Sequence, residues 1–413
     1  MEKTIIKQTI LEQKEIFERE EDIVKRDIPE YLLKTPKIVV ITGIRRCGKS
    51  TLLKEISGNF KNYAYANFED ERFLEFTAKD FNTLLEIFLE LDPETSTLFF
   101  DEIQNVSGWE KFVRRLFTEG YKIFVTGSSS NLLSSEIATS ITGRNLKYEL
   151  FPFSFKEYLL YHRFETKDIY MTKEKAYISR YFEDYSKYGG FPEIVKSRNE
   201  KELMEIYRDI LIKDLLVRLQ IRDSKDFRDL SLYLLSNISR KMSYHSLKNI
   251  LGFSNTSKVK NYVEFLEEAY LFFTLNKYDP SLKKQIMSPR KVYSIDTGLI
   301  NAVSFKFSEN TGSLLENIVF MELKRRFQEI YYHEGKKECD FLVKEKEKIT
   351  QAIQVTASIA DPNTEKREIE GLKEAMEMYN LKTGYIITKD VEKTINFEDK
   401  TISIKPITTW LLE

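Results

Sequence analysis

Short apolar runs and longer amphipathic stretches alternate along the first 150 residues. KIVVITG (37–43) is a β-branched run closed by glycine, the pattern of a buried strand. Similar runs recur at 63–68, 97–100 and 122–126, and a further strand is predicted at 145–151. Charged helical stretches separate them, so the pattern predicts a parallel sheet covered on both faces. Ahead of it, Ile5, Ile10, Leu11, Phe17, Ile23 and Val24 fall at near-helical spacing, which predicts one or two amphipathic helices. Pro36 stops them, because the residue before a proline is pushed out of the right-handed helical region.

After Pro152 the period changes. Long helical patterns dominate at 201–219 and 227–240. They are followed by SYHSLKNILG, a turn at Gly252, a second helix near 254–264 and an apolar run suited to a wing strand. From 310 the order is mixed: a helix at 311–328, strands near 329–333, 339–344 and 350–356, a helix near 364–379 and a strand at 384–388. The expected domains are 1–152, 153–300 and 301–413.

The 413 residues, 42% hydrophobic and 31% charged, can bury cores of that size. With 64 basic and 65 acidic residues the formal charge is −1, which excludes a uniformly basic nucleic-acid binder but not a local basic face. Two cysteines, Cys47 and Cys339, cannot build a disulfide framework or a cysteine-rich zinc site. Three histidines (His162, His245, His333) argue against a histidine metal cluster. No apolar run approaches the roughly 18–20 residues that span a bilayer, and the start lacks the apolar core of a secretory signal. A soluble, cytoplasmic protein is expected.

Gly43-Ile44-Arg45-Arg46-Cys47-Gly48-Lys49-Ser50 fits G-x-x-x-x-G-K-[ST] between an apolar strand and a helix-compatible stretch starting at Thr51. Such glycines let successive N–H groups point at phosphate oxygens, and the helix adds its positive end. Lys49 then reaches the β- and γ-phosphates, and the Ser50 hydroxyl ligates Mg2+. Cys47 contributes backbone rather than thiol.

Some fifty residues on, TLFFDE (97–102) is a strand ending in two carboxylates. Asp101 suits orienting the metal, usually through water, and Glu102 suits polarising the attacking water. VTGSSS (125–130) is another strand ending in hydroxyls. Thr126 or Ser128 could sense the γ-phosphate there, or the segment simply caps the next helix. Arg144, in Thr142-Gly143-Arg144, is a candidate for charge stabilisation in its own subunit or a neighbour's, or an ordinary surface arginine.

The segments GIRRCGKST, LFFDEIQNVSGWE, VTGSSSNLL, TGR and LFPFSFKEYL resemble a prokaryotic family of AAA+-like P-loop ATPases. In that family the ATPase module precedes a winged helix and a C-terminal restriction-endonuclease-like domain of obscure function. YGGFPE (188–193) and SPRKVYSIDTGL (288–299) look like its later segments. The resemblance implies an α/β protein with an AAA+-type five-stranded sheet, ATP and Mg2+ as ligands, and slow hydrolysis.

Between Leu230 and Val263 there is no acid, whereas Arg240, Lys241, Lys248, Lys258 and Lys260 are basic, with Lys277, Lys283, Lys284, Arg290 and Lys291 following. Residues 240–291 therefore suit nucleic-acid phosphates, or equally a protein-packing module. In the last domain, Glu316 on a helix and Asp340 on a strand match acids of the PD-(D/E)XK nuclease core, which the region resembles. Gln354 and Thr356 stand where its second carboxylate and lysine belong. An amide weakens Mg2+ binding, and the missing lysine removes a cation beside the attacked phosphate. A degenerate, non-cutting fold is the expectation, unless a lysine from elsewhere, such as Lys366, restores the site. A nucleic acid, a protein partner and a homo-oligomer are the partners considered; a membrane is not.

Overall fold

The first strand, Ile38–Thr42 (β1), is buried at every position, as an apolar run in the middle of a parallel sheet must be. The computed structural model describes residues 1–19, 23–128, 143–165, 171–221, 223–304 and 311–413. It divides into two compact units: 1–151 with 268–270, and 152–267 with 271–413.

The first unit carries β1, Tyr63–Asn67 (β2), Thr97–Asp101 (β3), Lys122–Gly127 (β4) and Asn145–Glu149 (β5). All pair in parallel in the order β2-β3-β4-β1-β5. Its helices are Lys3–Glu18 (α1), Glu30–Lys34 (α2), Lys49–Ser57 (α3), Phe81–Leu91 (α4) and Trp109–Thr118 (α5). Helix α1 buries Ile6, Ile10, Gln13 and Phe17, spaced three or four residues apart on one face. Gln13 covers the exposed edge of β2. Its amide donates to the Asn67 carbonyl at 3.0 Å and accepts from the Asn67 N–H at 2.9 Å, as a neighbouring strand would.

The second unit begins with Phe155–Tyr161 (α6), fixed by a capping box between Ser154 and Glu157. Thr172–Tyr188 (α7), Pro192–Ser197 (α8) and Glu200–Asp209 (α9) follow. The single helix expected at 201–219 becomes a π-helix at Ile210–Val217, a wider turn than the 3.6 period assumes. Then come Ser224–Ser236 (α10), Lys241–Met242 (β6), Tyr244–Leu251 (α11), Thr256–Glu268 (α12), Phe272–Leu275 (β7), Leu282–Met287 (α13) and Arg290–Ser294 (β8). Strands β6, β8 and β7 form a small antiparallel sheet. Gly252, with φ 71°, makes the expected turn after α11.

The rest comprises Thr297–Val303 (α14), Thr311–Arg326 (α15), Glu329–Glu334 (β9), Glu338–Glu345 (β10), Lys348–Val355 (β11), Pro362–Met378 (α16), Thr383–Thr388 (β12), Lys393–Phe397 (β13), Lys400–Pro406 (β14) and Ile407–Leu412 (α17). The six strands lie in the order β13-β14-β12-β11-β10-β9. β11, β12 and β14 are parallel and the other pairs antiparallel. The YGGFPE and SIDTGL segments meet at Asp296, whose carboxylate accepts the N–H groups of Gly190 at 2.7 Å and Gly298 at 2.8 Å. A side chain at Gly190 would collide with the Phe153 carbonyl, so this join requires glycine.

Candidate functional site: a phosphate loop and two acids

At the end of β1 the chain passes so close to the segment after β5 that a Cβ on Gly43 would stand 2.2 Å from the Leu150 carbonyl oxygen. Only glycine fits there. Gly48 has φ 98°, in the left-handed region, and turns the chain directly into α3. No side chain caps α3, which leaves the N–H groups of its first turn, at Lys49, Ser50 and Thr51, available to a ligand. Ile44 and Cys47 are buried inside the loop, while Arg45 pairs with Glu69 and Arg46 is exposed at φ 65°. Burial pushes the Cys47 thiol above its ordinary pKa, which makes it a poor thiolate and leaves its role to the backbone.

Lys49 is only 5% exposed. Its ammonium donates to the carbonyls of Gly43 at 3.2 Å and Ile44 at 3.4 Å and lies 3.3 Å from Glu102 Oε1. Burial works against that charge, but Glu102, Cys47 and Asp101 outweigh it and hold the lysine above its ordinary value. Glu102 responds in the opposite sense. Burial alone would raise its carboxyl, yet Lys49 and a hydrogen bond from Gln104 bring it below the usual range.

Asp101 ends β3 fully buried. The Thr126 hydroxyl donates to its Oδ1, and the Tyr65 hydroxyl donates to Oδ2 at 3.1 Å. The same Thr126 oxygen accepts the Glu102 N–H at 2.9 Å, where Glu102 turns at φ 50°. Burial, and next the Glu102 charge, push the Asp101 carboxyl up, while Ser50 and Thr126 pull it down. Thr126 is thus engaged in holding both acids rather than aimed at a phosphate.

Ser128 is buried just past β4, at the same sheet edge as the loop, since Thr42 pairs with Gly127. Arg144 requires a correction. It precedes β5, which pairs from Ile38–Asn145 to Thr42–Glu149, so it sits exposed at the opposite edge from the loop. In a parallel sheet all strand ends share one edge and all strand starts the other, so Arg144 does not approach its own chain's loop. Thr142 and Ser129–Ser130 lie outside the described residues.

The donor set suits magnesium and a triphosphate. A hydroxyl and a carboxylate supply hard oxygens for the ion, while uncapped N–H groups and an ammonium face the phosphates. Ser50 with Asp101 would hold the ion, and residues 43–51 the phosphates.

In the second unit the structure assembles a different cluster. Lys291 on β8, 2% exposed, places its Nζ 2.8 Å from Asp340 Oδ1, 2.8 Å from Glu338 Oε1 and 3.1 Å from Glu316 Oε1. Tyr293 donates to Glu316 at 2.8 Å. Gln354 accepts the Asp340 N–H at 3.1 Å and donates to Glu368. Of the four expected positions, Glu316, Asp340 and Gln354 belong here, while the Thr356 hydroxyl turns to the Ser358 carbonyl at 3.2 Å. An ammonium does reach these acids, that of Lys291, from 49 residues before Asp340. Lys366, the expected substitute, is exposed and faces Glu370 at 3.9 Å. Burial, then Asp340, push Glu316 up to about 8, while the same acids hold Lys291 well above an ordinary lysine. Among the described residues no group of three or more His, Cys, Asp or Glu is arranged to hold a metal ion.

That cluster also corrects the basic face. Lys291 is buried among acids and cannot meet a nucleic-acid phosphate. Lys258 pairs with Asp223 and Asp226 at 2.7 Å, and Lys241 with Glu334 and Glu338. Arg290 donates to the Tyr244 hydroxyl at 2.8 Å. Arg240, Lys260, Lys283 and Lys284 keep exposed side chains. A charge census along the chain missed these pairings because the acids come from other elements. His333 is buried, bonded to Tyr379 at 3.1 Å and beside Glu374.

An uncharacterized protein of Methanocaldococcus jannaschii is 39% identical over 99% of this chain and 96% of its own length. Another, from Haemophilus influenzae, is 30% identical over 92% and 95%. The chain belongs to this family of uncharacterized proteins. Within it, residues 35–159 match the family model described as an AAA domain, in agreement with the loop, the acid pair and the parallel sheet. Residues 179–310 and 311–410 each match a domain of unknown function. Among solved structures, the Aeropyrum pernix ORC1 protein in complex with DNA aligns at TM-score 0.29 and 14% identity, covering 68% of this chain and 94% of that one. AMPPCP-bound DnaA from Aquifex aeolicus aligns at 0.25 and 16%, covering 58% and 85%. Likenesses this distant carry neither ligand nor partner over to the AAA domain described above. Among the described residues no helix is long and apolar enough to cross a membrane.

Proposed function

We propose that this protein binds Mg-ATP through its AAA domain, hydrolyses it slowly, and uses the nucleotide state as a switch. The observation that carries the reading is the Lys49–Glu102 pair at 3.3 Å, beside an uncapped helix start and a buried Asp101. Lys49 has internal stand-in partners that a triphosphate would replace. Lys49 exchanges two carbonyls and a carboxylate for phosphate oxygens, which releases Glu102 to orient a water. Ser50 and Asp101 would hold magnesium, which would supply positive charge beside the phosphates. Thr126 keeps Asp101 and Glu102 in register, and Ser128 faces the γ-phosphate. Arg144 remains a candidate only across a subunit boundary, in a homo-oligomer.

For the rest of the chain we propose a helical and winged-helix region at 153–300 and a nuclease-like domain at 301–413. The order α11, turn, α12, β7, β8 supports the first, and β9–β12 with α15 and α16 supports the second. The buried Lys291, already surrounded by Glu316, Glu338 and Asp340, favours the non-cutting form over a metal-dependent nuclease. The switch would then act on what these domains bind, a protein or a nucleic acid, rather than on a second reaction.

The test is ATP hydrolysis by wild type, Lys49→Ala and Glu102→Gln, alone and with DNA or RNA. Lys49→Ala should lose binding, and Glu102→Gln should bind without turnover. Equal turnover in all three rejects the assignment. DNA or RNA incubated with Mg2+ or Mn2+ should stay intact; cleavage lost in Asp340→Ala would revive the nuclease reading.

A further inference from the structure

We infer that Tyr65 is a positioning residue for Asp101, aiming the carboxylate toward the metal side of the phosphate loop. The inference rests on the Mg-ATP reading above and names a residue that reading does not require.

Tyr65 lies at the centre of β2, next to β3, with Tyr65 paired to Phe99 and Asn67 to Asp101. Its hydroxyl donates to Asp101 Oδ2 at 3.1 Å, while Thr126 from β4 donates to Oδ1. The carboxylate is therefore held from both neighbouring strands, one oxygen each. Ser50 also bonds to this carboxylate but would turn to the ion, and one strand donor alone would then leave it free to turn about its Cβ–Cγ bond. Two donors fix the direction of the lone pairs that remain for a metal-bound water.

The ring is fixed in turn. Phe17 of α1 stacks on Tyr65 with centroids 3.9 Å apart and planes 18° apart, and both rings are buried. A cavity of about 310 Å3 is lined by Phe17, Tyr65, Ser50 and Thr51 among others, so Tyr65 borders the same space as the hydroxyl expected to ligate the ion. Packing by itself does not ask for this hydroxyl. A phenylalanine would fill the same volume and keep the stack on Phe17. The hydroxyl's hydrogen-bond partner is Asp101.

The experiment is calorimetry of ATP binding by wild type, Tyr65→Phe and Phe17→Leu, first in EDTA and then in magnesium. Tyr65→Phe should bind ATP in EDTA as wild type does. Its gain on adding magnesium should be smaller by about tenfold, the worth of one hydrogen bond to a charged group. Phe17→Leu loosens the ring without removing the hydroxyl and should show a smaller loss of the same gain. A purely structural role would lower both affinities together. An equal magnesium gain in wild type and both variants overturns the assignment of Tyr65 alone. A wild type that takes up no ATP, or gains nothing from magnesium, overturns the Mg-ATP reading and the assignment with it.

Discussion

Asp101 accepts a hydrogen bond from the Thr126 hydroxyl, each residue following directly on the Phe100–Val125 pair of β3 with β4. The same oxygen accepts the Glu102 N–H, so one side chain sets the orientation of two adjacent acids. Thr126→Val keeps the volume and removes both bonds. ATP affinity should hold while turnover falls about a hundredfold, the cost of misplacing a catalytic group by about an ångström. Unfolding in urea should show about 1–3 kcal/mol lost, from a half-buried N–H and a buried carboxylate each deprived of a partner.

Lys49 and Glu102 should separate cleanly in binding and turnover. Lys49→Ala removes the ammonium meant for the phosphates, and affinity for Mg-ATP should fall about a hundredfold, as for loss of strong charge-assisted bonds. Glu102→Gln should bind at least as tightly as wild type, because Lys49 loses its competing carboxylate. Calorimetry on both variants, with phosphate release measured alongside, checks the pair.

Arg144→Ala should leave ATP affinity of the isolated chain within about twofold, as expected for an exposed substitution. The reason is its place at the start of β5, at the sheet edge opposite the loop. Calorimetry at dilute protein concentration measures this. A large loss there would mean that the side chain reaches its own chain's nucleotide after all.

The second unit should become less stable as pH rises from neutral to about 8. Glu316 has its folded pKa raised from 4.5 to about 8, so the folded state keeps a proton that the unfolded chain releases. Its contribution is full below 4.5, declines through that window and is constant above it. Asp296, raised to about 6, adds a loss of the same sign that is complete near pH 6. Lys291, raised above 10.5, contributes stability that fades only in strong alkali. Melts between pH 6.5 and 8 should therefore slope downward in wild type and flatten in Glu316→Gln. Lys291→Met should cost about 3–5 kcal/mol, as for a buried charge cluster stripped of its counter-ion, and more at pH 8 than at pH 5.

Much of the first unit was legible because its inner strands β1, β3 and β4 are nearly contiguous apolar runs, which is what burial on both faces demands. KIVVIT and TLFFD leave little ambiguity, and the loop between them carries its own spacing. β13 and β14, KTINF and KTISIKP, alternate polar and apolar residues at a sheet margin, and they went unread. β8 was hidden differently: RKVYS reads as part of a basic stretch, yet its lysine points into a buried acid cluster. Lys291, Tyr293 and Glu338 could not be assigned from spacing, because their partners come from separate elements brought together only by folding. Tyr65 was passed over for a related reason: a tyrosine in an apolar strand looks like packing until its hydroxyl is seen to have a charged neighbour.

The contact between Gly43 and the Leu150 carbonyl leaves no slack. Leu150 also donates its N–H to the Thr42 carbonyl at 2.7 Å, so the peptide entering the loop and the peptide leaving the sheet are clamped face to face. Any recoil of the loop's first residue would be passed, almost undamped, to the stretch of backbone by which the chain exits toward Pro152. Enlarging residue 43 even to alanine would drive a Cβ into that clamp before any phosphate arrived.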